Sequence, residues 1–101
     1  MYYIYILQSK TSDHFYSGYS DDPWRRTVEH NTKPFNTYTS KHRPWGLAAV
    51  FECSEKESVA IKIERFIKKQ KSRRLLEKLI DPSFDPTGIL TQLVRVPHVR
   101  D

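Results

Sequence analysis

The pattern of apolar residues at the start of the chain predicts two strands. Residues 2–8 combine aromatic with β-branched side chains, and residues 15–20, which follow a polar segment, contain three aromatic side chains. A hairpin is the simplest connection between them. Because side chains alternate across a strand, Ile4 and Ile6 should share one face of the sheet, while Tyr5 lies on the other.

A strong helix start follows the second strand. Asp22 is a suitable N-cap, Pro23 is a suitable first helical residue, and Asn31 is a suitable stop. The segment 32–47 contains two prolines, one glycine and many polar residues, so we predict a long loop. The apolar run at residues 47–53 then predicts a third strand.

Helical spacing returns after the third strand. Ser54 and Glu57 have the spacing of a capping box, and apolar residues then recur at helical intervals with basic residues opposite. A further helix is predicted over residues 73–80. The tail at residues 82–101 holds one apolar patch at 89–96, which either packs back on the body or mediates self-association.

The predicted order β-β-α-β-α-α favours an α/β (α+β) fold in which helices flank a small three-stranded sheet. Residues 1–81 form the predicted domain, with 82–101 as its C-terminal tail. No apolar stretch approaches the ~20 residues that span a bilayer, and the N-terminus is unlike a signal peptide. The lone Cys53 permits no internal disulfide. We expect a cytoplasmic protein without a membrane partner, and the oligomeric state is left open.

The charge distribution predicts an anionic partner. The 101 residues carry 17 Lys and Arg against 12 Asp and Glu, a formal net charge of +5, which favours nucleic acid. Eight of the basic residues lie between positions 62 and 78, as a track for phosphates or as a solvated helix face. Others flank Trp45, which we interpret as a core residue. The predicted nucleic-acid-binding residues are Lys41, Arg43, Lys68, Lys69, Lys71, Arg73 and Arg74.

Three further residues suggest chemistry but are ambiguous one by one. Arg26 and His30 are four positions apart and so share one helix face, which is either solvated or built to hold a phosphate. Glu64 borders the apolar stripe of its helix. It therefore points into a cleft, or it lies at the surface paired with Lys68.

The order of the residues is more specific than any one of them. The triplet YIY at 3–5 and the triplet YSG at 16–18 precede Arg26 and His30, and Glu64 follows on a later helix. This order resembles the GIY-YIG nuclease superfamily. Within it, the chain looks like the small single-domain members related to the N-terminal nuclease domain of the bacterial excision-repair endonuclease.

The resemblance covers residues 2–80 and implies a metal-dependent endonuclease that hydrolyses phosphodiester bonds in DNA repair or recombination. The implied substrate is branched, damaged or single-stranded DNA, and the implied cofactor is Mg²⁺ (or Mn²⁺). By motif, the implied catalytic residues are Tyr5, Tyr16, Arg26, His30 and Glu64, with Glu64 as the metal ligand.

These residue types suit phosphodiester hydrolysis. Glu64 offers one oxygen ligand to Mg²⁺, an ion that keeps waters and takes phosphate oxygens. Arg26 presents a planar fork that matches a phosphate. Tyr5 or Tyr16 would position the water, and one of them would act as general base only with its pKa lowered from about 10. His30 would hold a tyrosine hydroxyl or relay a proton.

Two positions depart from the family pattern: Tyr3 stands in place of a glycine, and Ser17 stands in place of an aliphatic residue. An unpaired buried hydroxyl costs about 1–3 kcal/mol, so we expect Ser17 to find a backbone partner or to lie partly exposed. Gly18 is expected to leave room for substrate or metal.

Two alternatives to an endonuclease follow from the same sequence. One is a non-catalytic nucleic-acid-binding module that retains the fold, because the chain has no separate DNA-binding domain. The other is an interaction protein that uses the apolar patch at 89–96.

Overall fold

An antiparallel sheet lies at the centre of this mixed α/β protein. A computed structural model describes residues 1–33 and 38–97. The strand order is β2-β1-β3-β4, with β1 between β2 and β3. In chain order the elements are β1 (Tyr2–Ser9), β2 (Phe15–Ser20), α1 (Pro23–Thr32), α2 (Tyr38–Lys41), β3 (Trp45–Ser54), α3 (Glu57–Lys69), α4 (Arg73–Ile80), a short 3₁₀ helix (Gly88–Gln92) and β4 (Val94–Arg95).

Both faces of the sheet are buried, which explains why β1 is apolar on both sides. Ile4 and Ile6 pack in one cluster with residues of α3 and α4. Tyr5 and Leu7 lie on the opposite face, in a second cluster against which Trp24 of α1 packs. The alternation predicted for β1 is therefore confirmed.

Helix α1 forms where the sequence predicts it. Asp22 is the N-cap, and its Oδ1 accepts a hydrogen bond of 3.0 Å from the backbone N–H of Arg25. The helix ends at Thr32, one residue beyond the predicted stop. Helix α4 also has its predicted bounds, with the Ser72 side chain as N-cap.

The capping box predicted at Ser54 and Glu57 is wrong. Ser54 is the last residue of β3, where it pairs with Tyr2, so its backbone is extended before the helix begins. Helix α3 begins at Glu57, with Lys56 as N-cap. Ser54 Oγ instead accepts a hydrogen bond from the backbone N–H of Lys56, 3.0 Å away. Pairing with β1 outweighed the local helix signal.

The predicted loop over residues 32–47 contains more structure than expected. Its residues 34–37 lie outside the described part of the chain, but α2 follows them and β3 begins at Trp45. Trp45 is 2% exposed, and its indole N–H donates to the Thr39 carbonyl over 2.7 Å. The core interpretation of Trp45 is confirmed, and this burial organises the segment around it.

The sheet has four strands rather than the predicted three, because the tail packs back on the body. Residues 94 and 95 form β4, in which Arg95 pairs with Phe51 of β3. Leu90 and Leu93 are each 5% exposed and belong to the larger core cluster. The domain boundary after residue 81 stays a prediction, and residues 98–101 lie outside the described range.

The remaining observations concern membranes and the cysteine. No helix among residues 1–33 and 38–97 is long and apolar enough to cross a membrane. Cys53 packs against the larger core cluster, and burial raises the pKa of its thiol. A raised pKa lowers the fraction of reactive thiolate, in keeping with a packing role.

Replacing Leu93 with alanine should show that the tail stabilises the domain. Loss of a buried leucine side chain leaves a cavity, so Leu93→Ala should lower the free energy of unfolding by about 2–5 kcal/mol. Val94 is 59% exposed, so Val94→Ala is the matched control and should cost less than about 1 kcal/mol. Urea denaturation followed by tryptophan fluorescence measures both. Equal effects of the two substitutions would contradict the packing of the tail.

Candidate nuclease site

Four of the five predicted catalytic side chains line one cavity beside β2, the edge strand. The cavity has a volume of about 480 Å³. Tyr5 comes from β1, Tyr16 from β2, Arg26 from α1 and Glu64 from α3. His30 lies behind this wall, in contact with Tyr5. Other residues of the wall are Gly18, Tyr19, Glu57 and Lys68.

Tyr5 and His30 form a buried pair at the base of the cavity. Tyr5 is 1% exposed and His30 is 6% exposed. The Tyr5 hydroxyl lies 3.1 Å from His30 Nε2, within hydrogen-bond distance. The centroid of the Tyr16 ring is 4.9 Å from that of His30. His30 thus contacts a tyrosine hydroxyl, one of the two roles that the sequence suggests for it.

Gly18 allows the Tyr5 ring to occupy its position. A Cβ atom on Gly18 would lie 2.6 Å from the Tyr5 hydroxyl oxygen and 2.8 Å from Cζ, which is too close for any other residue type without movement. The space that Gly18 leaves is therefore filled by Tyr5, and not by substrate or metal. In the register of the sheet, Gly18 is the direct partner of Tyr5 across β1 and β2.

Burial shifts the proton equilibria of the pair in opposite directions. Burial, followed by the influence of Tyr16, raises the pKa of Tyr5 to about 12, although Arg26 opposes the shift. Burial, followed by the positive charge of Arg26, lowers the pKa of His30 to about 4. Both side chains are therefore neutral near pH 7. Tyr5 retains its proton and is unsuited to act as general base.

Glu64 points into the cavity and carries an oxygen without a hydrogen bond. The residue is 8% exposed. Lys68 Nζ lies 3.2 Å from Oε2, as an ion pair and not as a hydrogen bond. Within the described residues, Oε2 accepts none. Glu64 therefore faces a cleft, as one interpretation predicts, and it pairs with Lys68 as the other predicts, but it does not lie at the surface. A nearly buried carboxylate of this kind needs a cation beside it, because burying a charged acceptor unpaired is costly.

Arg26 combines access to the cavity with a fixed position. Its Nη1 donates to Glu29 Oε1 over 2.7 Å, and its side chain is 34% exposed. The neighbouring Arg25 is more exposed and pairs with Asp21 and Glu29 at the surface. The face shared by Arg26 and His30 is thus directed at the cavity and not at bulk solvent.

Three of the predicted nucleic-acid-binding residues border a second cavity. Its volume is about 650 Å³, and it shares Tyr16 and Lys68 with the first. Lys71 and Arg73 also line it. Arg73 pairs with Asp13 over 2.5 Å, so its charge is partly neutralised. The two cavities adjoin at Tyr16 and Lys68.

The other predicted nucleic-acid-binding residues lie elsewhere. Arg43 Nε donates to the His30 carbonyl over 2.6 Å, and its Nη2 donates to the Lys33 carbonyl. It thereby satisfies backbone carbonyls at the C-terminus of α1, a common role for a basic side chain. The other three, which are exposed, are Lys41, Lys69 and Arg74. Nucleic-acid binding by all seven residues stays a prediction.

Asn31 has a positioning role that the sequence analysis missed. Its side-chain amide donates to the Trp45 carbonyl over 3.0 Å and accepts from the Trp45 N–H over 2.6 Å. This pair of bonds ties the end of α1, directly after His30, to the start of β3. The signal for this role in the sequence is an asparagine directly after a site histidine.

Ser17, where the family pattern breaks, does not disturb the site. The residue is 6% exposed, on the face of β2 opposite Tyr16, and lines the second cavity. Partial exposure, one of the two outcomes that we expected for Ser17, is therefore not observed, and the residue lies away from the Tyr5–His30 pair.

The donor atoms fit a metal site based on one carboxylate. In the described part of the chain, no group of three or more His, Cys, Asp or Glu side chains is placed to hold a metal ion. Mg²⁺ commonly takes only one or two carboxylates, keeping waters and phosphate oxygens as its other ligands. The Glu64 carboxylate, whose Oε2 accepts no hydrogen bond within the described residues, fits such a site.

Comparison with known proteins identifies the family of the chain. The family model of the GIY-YIG catalytic domain matches residues 1–78. The chain belongs to the GIY-YIG family. It is also similar to a UPF0213 protein from Haloquadratum walsbyi, with 34% identity over 83 residues, 79% of this chain and 91% of that protein. A GIY-YIG domain implies a nuclease with DNA as substrate, and such nucleases generally use divalent metal ions.

Substitution of Gly18 should test the contact with Tyr5. Gly18→Ala places a Cβ against the buried ring, which must move, so we expect a loss of about 1–3 kcal/mol in the free energy of unfolding. A Cβ on Gly46 would meet only the tip of the Lys10 side chain, 3.0 Å away. Gly46→Ala is therefore the control and should cost less. If chemical denaturation shows equal losses, Gly18 is not required for the position of Tyr5.

The lowered pKa of His30 predicts a pH dependence of stability. The unfolded state, with a histidine pKa near 6.5, takes up a proton at a higher pH than the folded state, with a pKa of about 4. The contribution of His30 to the free energy of unfolding is therefore fully present above about pH 6.5. It declines as the pH falls toward 4, by up to about 3 kcal/mol. The facing groups are Tyr5 of β1, Tyr16 of β2, Arg26 and Glu29 of α1, Arg43 of the loop and Lys68 of α3.

The measurement is urea denaturation at several pH values between 4.5 and 7.5. His30→Asn should remove most of the decline, because asparagine has no proton to gain. An equally steep decline in the variant would show that other groups cause the pH dependence.

Proposed function

We propose that the protein is a metal-dependent DNA endonuclease that acts in the cytoplasm. Its substrates would be DNA structures that arise in repair or recombination. The observation that supports this most is that Tyr16, Arg26 and Glu64 face one cavity above the buried Tyr5–His30 pair. Each of these groups meets one requirement of phosphodiester hydrolysis: a positioned water, a partner for the phosphoryl oxygens and a ligand for a cation.

Arg26 binds the scissile phosphate. Its guanidinium lines the cavity while Glu29 holds one edge through Nη1. The remaining N–H groups can donate to phosphoryl oxygens in the fork geometry that suits them. Because charge builds up on those oxygens during attack, a donor fixed beforehand lowers the barrier.

Glu64 would hold the divalent cation, Mg²⁺ or Mn²⁺, through its carboxylate. When bound, such an ion neutralises charge on the phosphoryl group and makes a coordinated water more acidic. Glu64 is held in place by α3, whose adjacent residue Ile63 is 2% exposed in the core. This packing orients the carboxylate before the cation arrives.

Tyr16 is the better candidate to orient the attacking water. It lines the cavity and is only partly buried, whereas Tyr5 is enclosed and retains its proton. His30, which is neutral, fixes the Tyr5 hydroxyl at 3.1 Å. The two tyrosines therefore have different roles, with Tyr5 supporting the base of the site and Tyr16 facing the reaction.

Replacing Glu64 with glutamine tests the proposal. Glu64→Gln keeps the size of the side chain but removes its charge. Metal-dependent cleavage of branched, nicked and single-stranded DNA should fall by about 10²–10³-fold or more. Glu52 is exposed on β3, near the opposite edge of the sheet, so Glu52→Gln is the matched control and should cut at the wild-type rate.

Cleavage measured together with binding separates an endonuclease from a non-catalytic module. DNA affinity, measured by fluorescence anisotropy at several salt concentrations, should persist in Glu64→Gln. Cleavage by this variant at the wild-type rate would exclude the proposed mechanism. Salt-dependent binding by the wild-type protein, without metal-dependent cleavage of any of the three substrates, would support the non-catalytic module instead.

A further inference from the structure

Lys68 lies between the two cavities and contacts both tyrosine and carboxylate. Its Nζ is 3.2 Å from Glu64 Oε2 and 4.9 Å from the centroid of the Tyr16 ring. Its side chain is 49% exposed, whereas that of Glu64 is 11% exposed. A flexible and half-exposed cation therefore rests against a nearly buried anion.

The Lys68 ammonium lies where it would compete with a metal ion for the Glu64 carboxylate. Glu64 Oε2 accepts no hydrogen bond among the described residues. The positive charge beside this oxygen comes from Lys68. A divalent cation at Glu64 would compete for the same atom and would also repel the ammonium. Lys68 and a metal ion are thus unfavourable as simultaneous close neighbours of Glu64.

We propose that Lys68 is an exchangeable counter-ion of Glu64. When a metal ion binds to Glu64, the Lys68 ammonium leaves the carboxylate and contacts a phosphate of the bound nucleic-acid strand. This inference rests on the proposed function. The displaced side chain has a destination, because it already lines the second cavity together with Lys71 and Arg73. A strand that enters this cavity from the first one brings phosphates within reach of Lys68.

The exchange couples metal binding to nucleic-acid binding. A strand that engages Lys68 removes a competitor from Glu64, so it raises the affinity for metal. By linkage, the metal raises the affinity for the strand by the same factor. The metal ion and the nucleic-acid strand then bind cooperatively. Without the strand, the metal ion binds more weakly than it would to Glu64 in the absence of Lys68.

Calorimetric titration with Mn²⁺ alone tests the first half of this proposal. Lys68→Met removes the charge and keeps much of the apolar stem. It should bind Mn²⁺ about three to ten times more tightly than the wild-type protein, because the competing ammonium and its repulsion are gone. Lys62 is exposed on the same helix, so Lys62→Met is the matched control and should bind Mn²⁺ like the wild type.

A phosphorothioate single-stranded oligonucleotide, which resists cleavage, tests the second half. The wild-type protein should bind Mn²⁺ more tightly in its presence, and this gain should shrink in Lys68→Met. The variant should also bind the oligonucleotide more weakly, with a salt dependence reduced by about one charge. Lys68→Arg, which keeps the charge, should keep the coupling and shows that the loss is not a folding defect.

The outcomes separate this proposal from the proposed function. If Lys68→Met binds Mn²⁺ no more tightly than the wild type while Glu64→Gln loses binding, the exchange is wrong and the metal site stands. If Glu64→Gln binds Mn²⁺ like the wild type, Glu64 is not the metal ligand, and both proposals fail.

Discussion

The contact between the Tyr5 hydroxyl and His30 is the constraint on which the site depends. It joins the strand next to the edge of the sheet to α1, and it exists because Gly18 of the edge strand leaves space for the ring. Arg26 lies one helical turn before His30, so fixing His30 also directs Arg26 at the cavity. One buried contact between neutral groups thus positions a charged group that must remain accessible.

The parts of this fold that follow local rules were predictable from the sequence. Alternation placed the two faces of β1, and the Asp22 cap marked the start of α1. The prediction that Tyr16 and Glu64 lie in one site had a different basis. It followed from the order of residues that the chain shares with its family, because spacing alone does not reveal which strand and helix meet around a cavity.

The parts that depend on distant partners were not predictable in the same way. Ser54 had the sequence of a helix cap, but its backbone pairs with β1. Only two residues of the tail form β4, too few for a periodic pattern, and they pair with Phe51 and Glu52, which are distant in the sequence. The filling of the Gly18 space by Tyr5 likewise depends on the register of two strands. Each of these features is a property of tertiary contact.

A crystal structure with Mn²⁺ and an oligonucleotide bound would test the central claim most directly, namely that one cavity assembles the catalytic groups around a phosphate. The account predicts anomalous density for the ion against Glu64, with a phosphate contacting Arg26 and lying near Tyr16, and the Tyr5–His30 contact unchanged beneath them. An ion bound away from Glu64, or a strand that bypasses Arg26 and Tyr16, would contradict it.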